Sequence, residues 1–360
     1  MYKAIISENR KGIDRTSYVE TLLRNSEARA SKNIALVGQM NTGKTFIVKE
    51  FLSRSDNSAY IDFSKIGLTP EEFATQMILS VCSWHLKKDV FLLDECKLGD
   101  ESSRVVELVK NEFLKIKPDH VALIRLGLEY AEALCRDAGS LKIICLDEFW
   151  KVLDFNNYHA IADVLLLFKD AISSFSHVKF VLIGSAVILM KDICFKLGVE
   201  VIEVTGISNR ELADDDLFYY SNGIPLFVDA LRERVNSGFS LREAFVLEAL
   251  WKQGRIYSAC SSKLDDALDR ARGRGLLISI LNALSKKELK LSELSRAIYR
   301  SAGVTKNLVD RLVNVDLVVK DSGRYRFDDS ILRYWFRETF SGNVFESMPR
   351  KQDLKKEVDL

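Results

Sequence analysis

Five short apolar runs mark out the first two hundred residues: Asn33-Ile34-Ala35-Leu36-Val37, Ala59-Tyr60-Ile61-Asp62-Phe63, Leu141 to Leu146, Val178 to Ile183, and Glu200 to Val204. Each has the length and β-branched content of a buried strand. Between them the apolar spacing changes to the helical period. It predicts helices over about 16–27 (Val19, Leu22 and Leu23 on one face), 45–52, 69–84, 119–136 and 158–173. Thr69-Pro70-Glu71-Glu72 is a threonine cap with proline in the first turn. Residues 86–117 are charged and less regular, with one amphipathic helix through Val105, Val106, Val109, Phe113 and Leu114. This βα alternation predicts an α/β fold: a parallel sheet with helices on both faces, extending over residues 1–205.

Past that point the strands stop. Residues 206–270 read as helical, with Asn209 to Tyr220 as one helix and about 239–269 as a longer stretch. Three short helices follow, at Leu276 to Leu284, Leu291 to Tyr299 and Thr305 to Asn314. Two alternating strands then flank an Asp321-Ser322-Gly323 turn. Three helices and a hairpin over 271–345 resemble a winged helix-turn-helix. The charged tail, 346–360, reads as frayed or solvated.

The candidate chemistry sits at the ends of two predicted strands. Gly38-Gln39-Met40-Asn41-Thr42-Gly43-Lys44-Thr45 fits G-x-x-x-x-G-K-[ST] and stands between a strand and a helix. Glycines let backbone N–H groups turn inward around phosphate oxygens, and the helix that follows aims its positive end at them. Lys44 is the point charge for the β- and γ-phosphates, and the Thr45 hydroxyl is a ligand for Mg²⁺. The alternative is a glycine turn with no ligand. Asp147 and Glu148 close the third strand, expected to lie beside the phosphate-loop strand. Asp147 then belongs near the Mg²⁺ shell, and Glu148 orients or deprotonates an attacking water. Their alternative is a pair of solvated acids. Ser185, after the fourth strand, either touches the γ-phosphate or the water, or caps the next helix.

Charge and composition narrow the partners. The 360 residues are 47% hydrophobic, with 52 basic against 51 acidic side chains, a net charge of +1. Nothing in that balance demands nucleic acid or a membrane surface. No uncharged run approaches the roughly eighteen residues of a membrane span, and Met1 to Ser7 lacks a signal-peptide core, so a cytoplasmic protein is expected. Six cysteines stand without a C-x-x-C pair and the four histidines do not cluster near them, giving no metal-site signal. The cysteines read as small buried hydrophobes. Scarce glutamine leans toward a hyperthermophilic source, in which disulfides would be conceivable.

The ordered set GQMNTGKT, LKIICLDEF, VLIGSA and SNGIP resembles the archaeal-type ATPases of the STAND class, relatives of the AAA+ ATPases. The resemblance covers about residues 10 to 340. It implies that Asn222-Gly223-Ile224-Pro225 is the G-x-P motif, with Pro225 contacting nucleotide behind a helical lid, and that the winged helix follows. Read from the residues alone, Gly223 ends a helix and Pro225 starts the next. In that family an F-x-x-R-E-like segment precedes the first helix. Ile13-Asp14-Arg15-Thr16 fits it loosely, which makes Arg15 an adenine-side candidate. No arginine is marked as an arginine finger.

ATP with Mg²⁺ is therefore the expected ligand, in a slowly hydrolysing switch. Double-stranded DNA is a further candidate partner. The third helix of the C-terminal trio would expose Lys306, Asn307, Arg311 and Asn314 while burying Leu308, Leu312 and Val315, and the wing offers Lys320, Arg324 and Arg326. Basic residues exceed acidic ones by about six over 271–340, with Asp310 on the same helix. Such a module can instead pack on the core or bind a protein. Three other readings stand beside the switch: an origin-recognition-like loader, for which Arg210 and Arg232 are the nearest lid arginines; a small-molecule kinase, disfavoured by the acidic pair; and a protein that only binds ATP.

Overall fold

The computed structural model describes residues 15–27, 32–55, 57–67 and 69–360. The chain forms two compact units, one of Asp14–Gly38 with Lys44–Val204, the other containing Gln39–Gly43 and Thr205–Leu360.

The first unit runs α1 (Thr16–Glu27), β1 (Ile34–Val37), α2 (Lys44–Arg54), β2 (Ser58–Asp62), α3 (Pro70–Leu86), α4 (Asp100–Phe113), α5 (His120–Asp137), β3 (Lys142–Asp147), α6 (Val164–Ser174), β4 (Val178–Gly184), α7 (Val187–Leu197) and β5 (Glu200–Glu203). Its five strands are all parallel, in the order β2-β3-β4-β1-β5. The period-two alternation divides the sheet between two cores. Ile34, Leu36, Ile143, Cys145, Val181 and Ile183 pack with Val19 and Leu22 of α1 and with Ile47, Val48 and Phe51 of α2. Ala35, Val37, Ile144, Leu146, Phe180 and Leu182 face the other way, onto α3, α5, α6 and α7.

Three expectations for this unit are corrected. The strand carrying Asp147 is not beside the phosphate-loop strand, because β4 is hydrogen-bonded between them. The helix expected from Tyr158 begins at Val164: the Asp163 carboxylate accepts from the Leu165 amide at 2.9 Å, capping it there. Ahead of it, Phe149–Asn157 forms a 3-10 segment. Leu114, expected on the buried face of α4, is its exposed C-terminal cap. All six cysteines are buried free thiols.

The second unit is helical: α8 (Asn209–Leu212), α9 (Asp215–Ser221), α10 (Pro225–Asn236), α11 (Leu241–Leu250), α12 (Arg255–Ala271), α13 (Arg274–Lys286), α14 (Leu291–Ala297) and α15 (Ala302–Asn314). The antiparallel pair β6 (Val318–Asp321) and β7 (Arg324–Phe327) follows, then α16 (Ser330–Phe340). The hairpin turns on Ser322 and Gly323, both at positive φ, the backbone a two-residue hairpin favours. Leu289 pairs with Tyr325 as a third, one-residue strand. The single helix expected over 209–220 is two, broken where Ala213 turns left-handed and Asp214 caps α9. The stretch over 239–269 is likewise broken, between α11 and α12. Most tail residues are exposed, but the tail is docked: Leu354 is fully buried, the partly buried Val358 and Leu360 pack on the same core, and Arg242 Nε donates to the Lys356 carbonyl at 2.7 Å.

Candidate nucleotide site

The segment between β1 and α2 is a turn whose shape is set by its residues. Asn41 and Gly43 both hold positive φ, 65° and 93°, a region open to glycine and tolerated by asparagine. Thr42 closes the turn, its hydroxyl donating to the Gln39 carbonyl at 2.8 Å, while Gln39 and Met40 are half-buried on the way in. Gly38 N donates to the Gly184 carbonyl at 3.4 Å, tying the loop's start to the end of β4. Lys44 is buried, and its Nζ donates to the Gly38 carbonyl at 2.7 Å. Burial pushes its pKa down to about 8, against the attraction of Glu148 and Asp147.

Asp147 shares its sheet face with Ile143 and Cys145, the face covered by α2, and this brings it to Thr45 despite the intervening strand. Thr45 Oγ1 donates to Asp147 Oδ2 at 3.1 Å. Tyr60, paired in register with Cys145, donates to the same oxygen at 2.7 Å. The Glu148 amide donates to Oδ1 at 2.9 Å. Thr45 and Asp147 thus offer two hard oxygen donors in contact, a set that suits Mg²⁺ held mainly by water and phosphate oxygens. Among the described residues no group of three or more His, Cys, Asp or Glu could cage a metal ion.

Glu148 leaves the strand in a left-handed backbone, φ 50° and ψ 42°. Its carboxylate accepts from Trp150 Nε1 at 2.6 Å and from the Ser185 hydroxyl, which lies 3.1 Å from each oxygen. Its pKa is raised, chiefly by burial and also by Asp147, against the hydrogen bond from Trp150, the charge of Lys44 and the Ser185 hydroxyl. Ser185 does not cap α7, whose N-cap is Ala186 without a side-chain bond. Among the described residues, then, Lys44, Thr45, Asp147, Glu148 and Ser185 converge at the carboxyl ends of β1, β3 and β4. This core has the P-loop fold.

One solved structure agrees with that in fold. The chain is similar to a Walker-type ATPase of Pyrococcus abyssi, with a TM-score of 0.59 and 17% identity over 90% of this chain and 95% of that one. Looser likenesses, at TM-scores of 0.46 and 0.43, are to the Aeropyrum pernix ORC2 protein in ADPNP-ADP complexes (12% identity) and to the ORC1 protein of that organism in complex with DNA (14% identity). Each covers 91% of this chain and 92% of the other. No family model matches the sequence, and no curated protein matches it.

Pro225 lies in the second unit, at the first position of α10, with Asn222 and Gly223 ending α9 in the left-handed region. Packing accounts for this glycine: a Cβ on Gly223 would stand 2.0 Å from the Ile207 carbonyl oxygen, and its own carbonyl accepts from the Ile207 amide at 2.7 Å. Arg15 is buried, with its guanidinium 5.6 Å from the Tyr18 ring centroid; Ile13 and Asp14 lie outside the described residues. Arg210 lies in α8 and Arg232 in α10. Two residues at the site went unread in the sequence, Tyr60 and Trp150. Tyr60 sits two positions before the end of its strand, and Trp150 two positions after Glu148; an N–H or O–H aromatic at those offsets was the signal available.

Proposed function

We propose that this chain is a Mg-ATP-binding, slowly hydrolysing switch of the STAND type. The observation that carries the reading is the convergence of Lys44, Thr45, Asp147 and Glu148 around one loop. The backbone of Gly38 to Gly43 and Lys44 hold the phosphates. Thr45 and Asp147 hold Mg²⁺, which when bound neutralises charge on the β- and γ-phosphates. Glu148 orients the attacking water and accepts its proton, and a carboxyl pKa raised toward neutrality makes it a better base for that task. Ser185 and Pro225 are read as sensors of the bound nucleotide, and Arg15 as an adenine-side contact. The likeness in fold to a protein described as a Walker-type ATPase supports the ATPase reading without extending it to individual residues.

In this reading residues 1–205 are the ATPase core, 206–270 a lid and 271–345 a winged helix, with the tail packed against the helical part. ATP and ADP stabilise different conformations of the lid and the C-terminal module. The protein acts in the cytoplasm, with a protein partner or duplex DNA engaged by that module. For DNA the supporting observation is one exposed row: Lys306, Asn307, Arg311 and Asn314 on α15, with Leu308 and Leu312 buried behind them. Three basic side chains of α15 and the wing already have carboxylate partners, while Arg311 donates to Asn307 and the Arg272 carbonyl. Lys306 pairs with Asp310, Arg324 with Glu293 and Arg326 with Glu288, so phosphate contacts would have to displace carboxylates.

The test is phosphate release from Mg-ATP by wild type beside Glu148→Gln, with nucleotide binding measured in both. Wild type releases phosphate, and the variant binds ATP without releasing it. If both bind and neither hydrolyses, the catalytic assignment fails and a purely ATP-binding role replaces it.

A further inference from the structure

We propose that Trp150 is a positioning residue for hydrolysis: its indole N–H fixes the Glu148 carboxylate so that one oxygen stays available for the attacking water. The inference rests on the hydrolytic reading and adds a residue to it. In the step concerned, the water oxygen bonds to the γ-phosphorus as the bond to the β–γ bridging oxygen breaks. ADP leaves with that electron pair, and the water's proton passes to Glu148.

A glutamate's last torsion is broad and nearly two-fold, so a carboxylate needs directional partners to present one oxygen in one place. Ser185 cannot do this alone. Its hydroxyl lies 3.1 Å from both Oε1 and Oε2 but carries a single proton, so it satisfies one oxygen at a time and leaves the rotation undecided. Trp150 Nε1 donates to Oε2 alone, at 2.6 Å, and so decides it. An ionised carboxylate has about four acceptor positions, so these two donors leave room on Oε1 for water.

The indole is itself held. The left-handed backbone of Glu148 starts a 3-10 turn, closed by the Lys151 amide donating to the Glu148 carbonyl at 3.0 Å, and the turn folds residue 150 back over residue 148. Phe149, fully buried, anchors the turn with its ring edge-on to Phe63 and Phe168, centroids 6.1 and 5.0 Å apart. The Trp150 ring is buried too, with Lys151 Nζ 5.6 Å from its centroid. A phenylalanine here would keep the packing and lack the N–H.

The experiment compares wild type, Trp150→Phe and Trp150→His for steady-state ATP hydrolysis, ADP affinity and thermal unfolding. Trp150→Phe lowers kcat by about tenfold or more, the worth of one hydrogen bond to a charged group, and leaves KM and the ADP Kd within about twofold. Trp150→His, which regains an N–H donor, recovers part of the lost kcat. Wild-type turnover in Trp150→Phe overturns the inference and leaves the hydrolytic reading intact. Loss of nucleotide affinity together with kcat, unrelieved by histidine, also overturns it, because the role is then only structural. No phosphate release by wild type overturns the hydrolytic reading and this inference with it.

Discussion

Tyr60 donates its hydroxyl hydrogen to Asp147 Oδ2 across 2.7 Å, from the strand paired with Asp147's own. The same oxygen receives the Thr45 hydroxyl. Burial first, and then the negative charge of Asp147, push the Tyr60 pKa up, so it stays a donor throughout the working range. If Asp147 helps to hold Mg²⁺ as proposed, removing the donor in Tyr60→Phe frees the carboxylate to rotate away from where the ion would bind. Outer-shell partners of metal ligands are worth 10- to 100-fold in affinity, so half-maximal hydrolysis should need about tenfold more Mg²⁺. A magnesium titration of both proteins at saturating ATP reads this directly.

The buried Asp329 caps α16 through the amides of Ile331 and Leu332 and pairs with the half-buried Lys263 of α12 at 2.9 Å. Burial opposes its ionisation, but Lys263 and those amides outweigh it and hold its pKa below the ordinary value. Lys263 is raised in turn: burial opposes its charge and Asp329 overcomes that. A depressed carboxyl contributes stability above its unfolded value, near 4, and loses it as pH falls through the folded value. A raised lysine contributes below its unfolded value, near 10, and loses it as pH rises through the folded one. The pair therefore stabilises the fold across the window between. Asp329→Asn should cost about 2 kcal/mol at neutral pH, by taking the charged partner from the half-buried Lys263. Thermal melts of both proteins should converge as pH drops below about 4.

Leu354 is fully buried among residues of the helical unit, although it stands in a segment of alternating charges. Truncation in Leu354→Ala should cost about 2–4 kcal/mol, by lost burial and the cavity left. The exposed neighbour change Lys355→Ala should stay within about 0.5 kcal/mol. Denaturant midpoints of the two variants distinguish a docked tail from a loose one.

If the C-terminal module engages duplex DNA, affinity falls steeply as salt rises. Arg311→Ala and Arg324→Ala should each reduce the slope of log K against log salt by about one. Binding that ignores salt, or no binding at low salt, leaves a protein as the module's partner.

Much of the site could be read from the sequence because its signals are local. The phosphate loop needs eight consecutive residues, and Asp147 follows four apolar ones, Ile143 to Leu146. What escaped depends on pairing between distant segments. Nothing in Val178 to Gly184 says that it lies between β1 and β3, since neighbouring strands are chosen by the whole sheet. Tyr60 reaches Asp147 only through the register that sets it opposite Cys145. Trp150 depends on a left-handed residue that no propensity for glutamate foretells. Residues 158–163 kept a helical spacing while the Asp163 side chain captured the start of α6. Leu354, Val358 and Leu360 carry too short a pattern to announce a buried strip.

Glu148 occupies a backbone conformation that glycine enters freely and other L residues enter at a cost of roughly 1 kcal/mol. Two selections imposed on this chain would therefore part company at residue 148. A library sorted for resistance to heat would drift toward glycine there, and one sorted for turnover would keep the acid and tolerate the strain. The divergence between those two populations would register, in sequence alone, how much folding stability the chain forgoes for its chemistry.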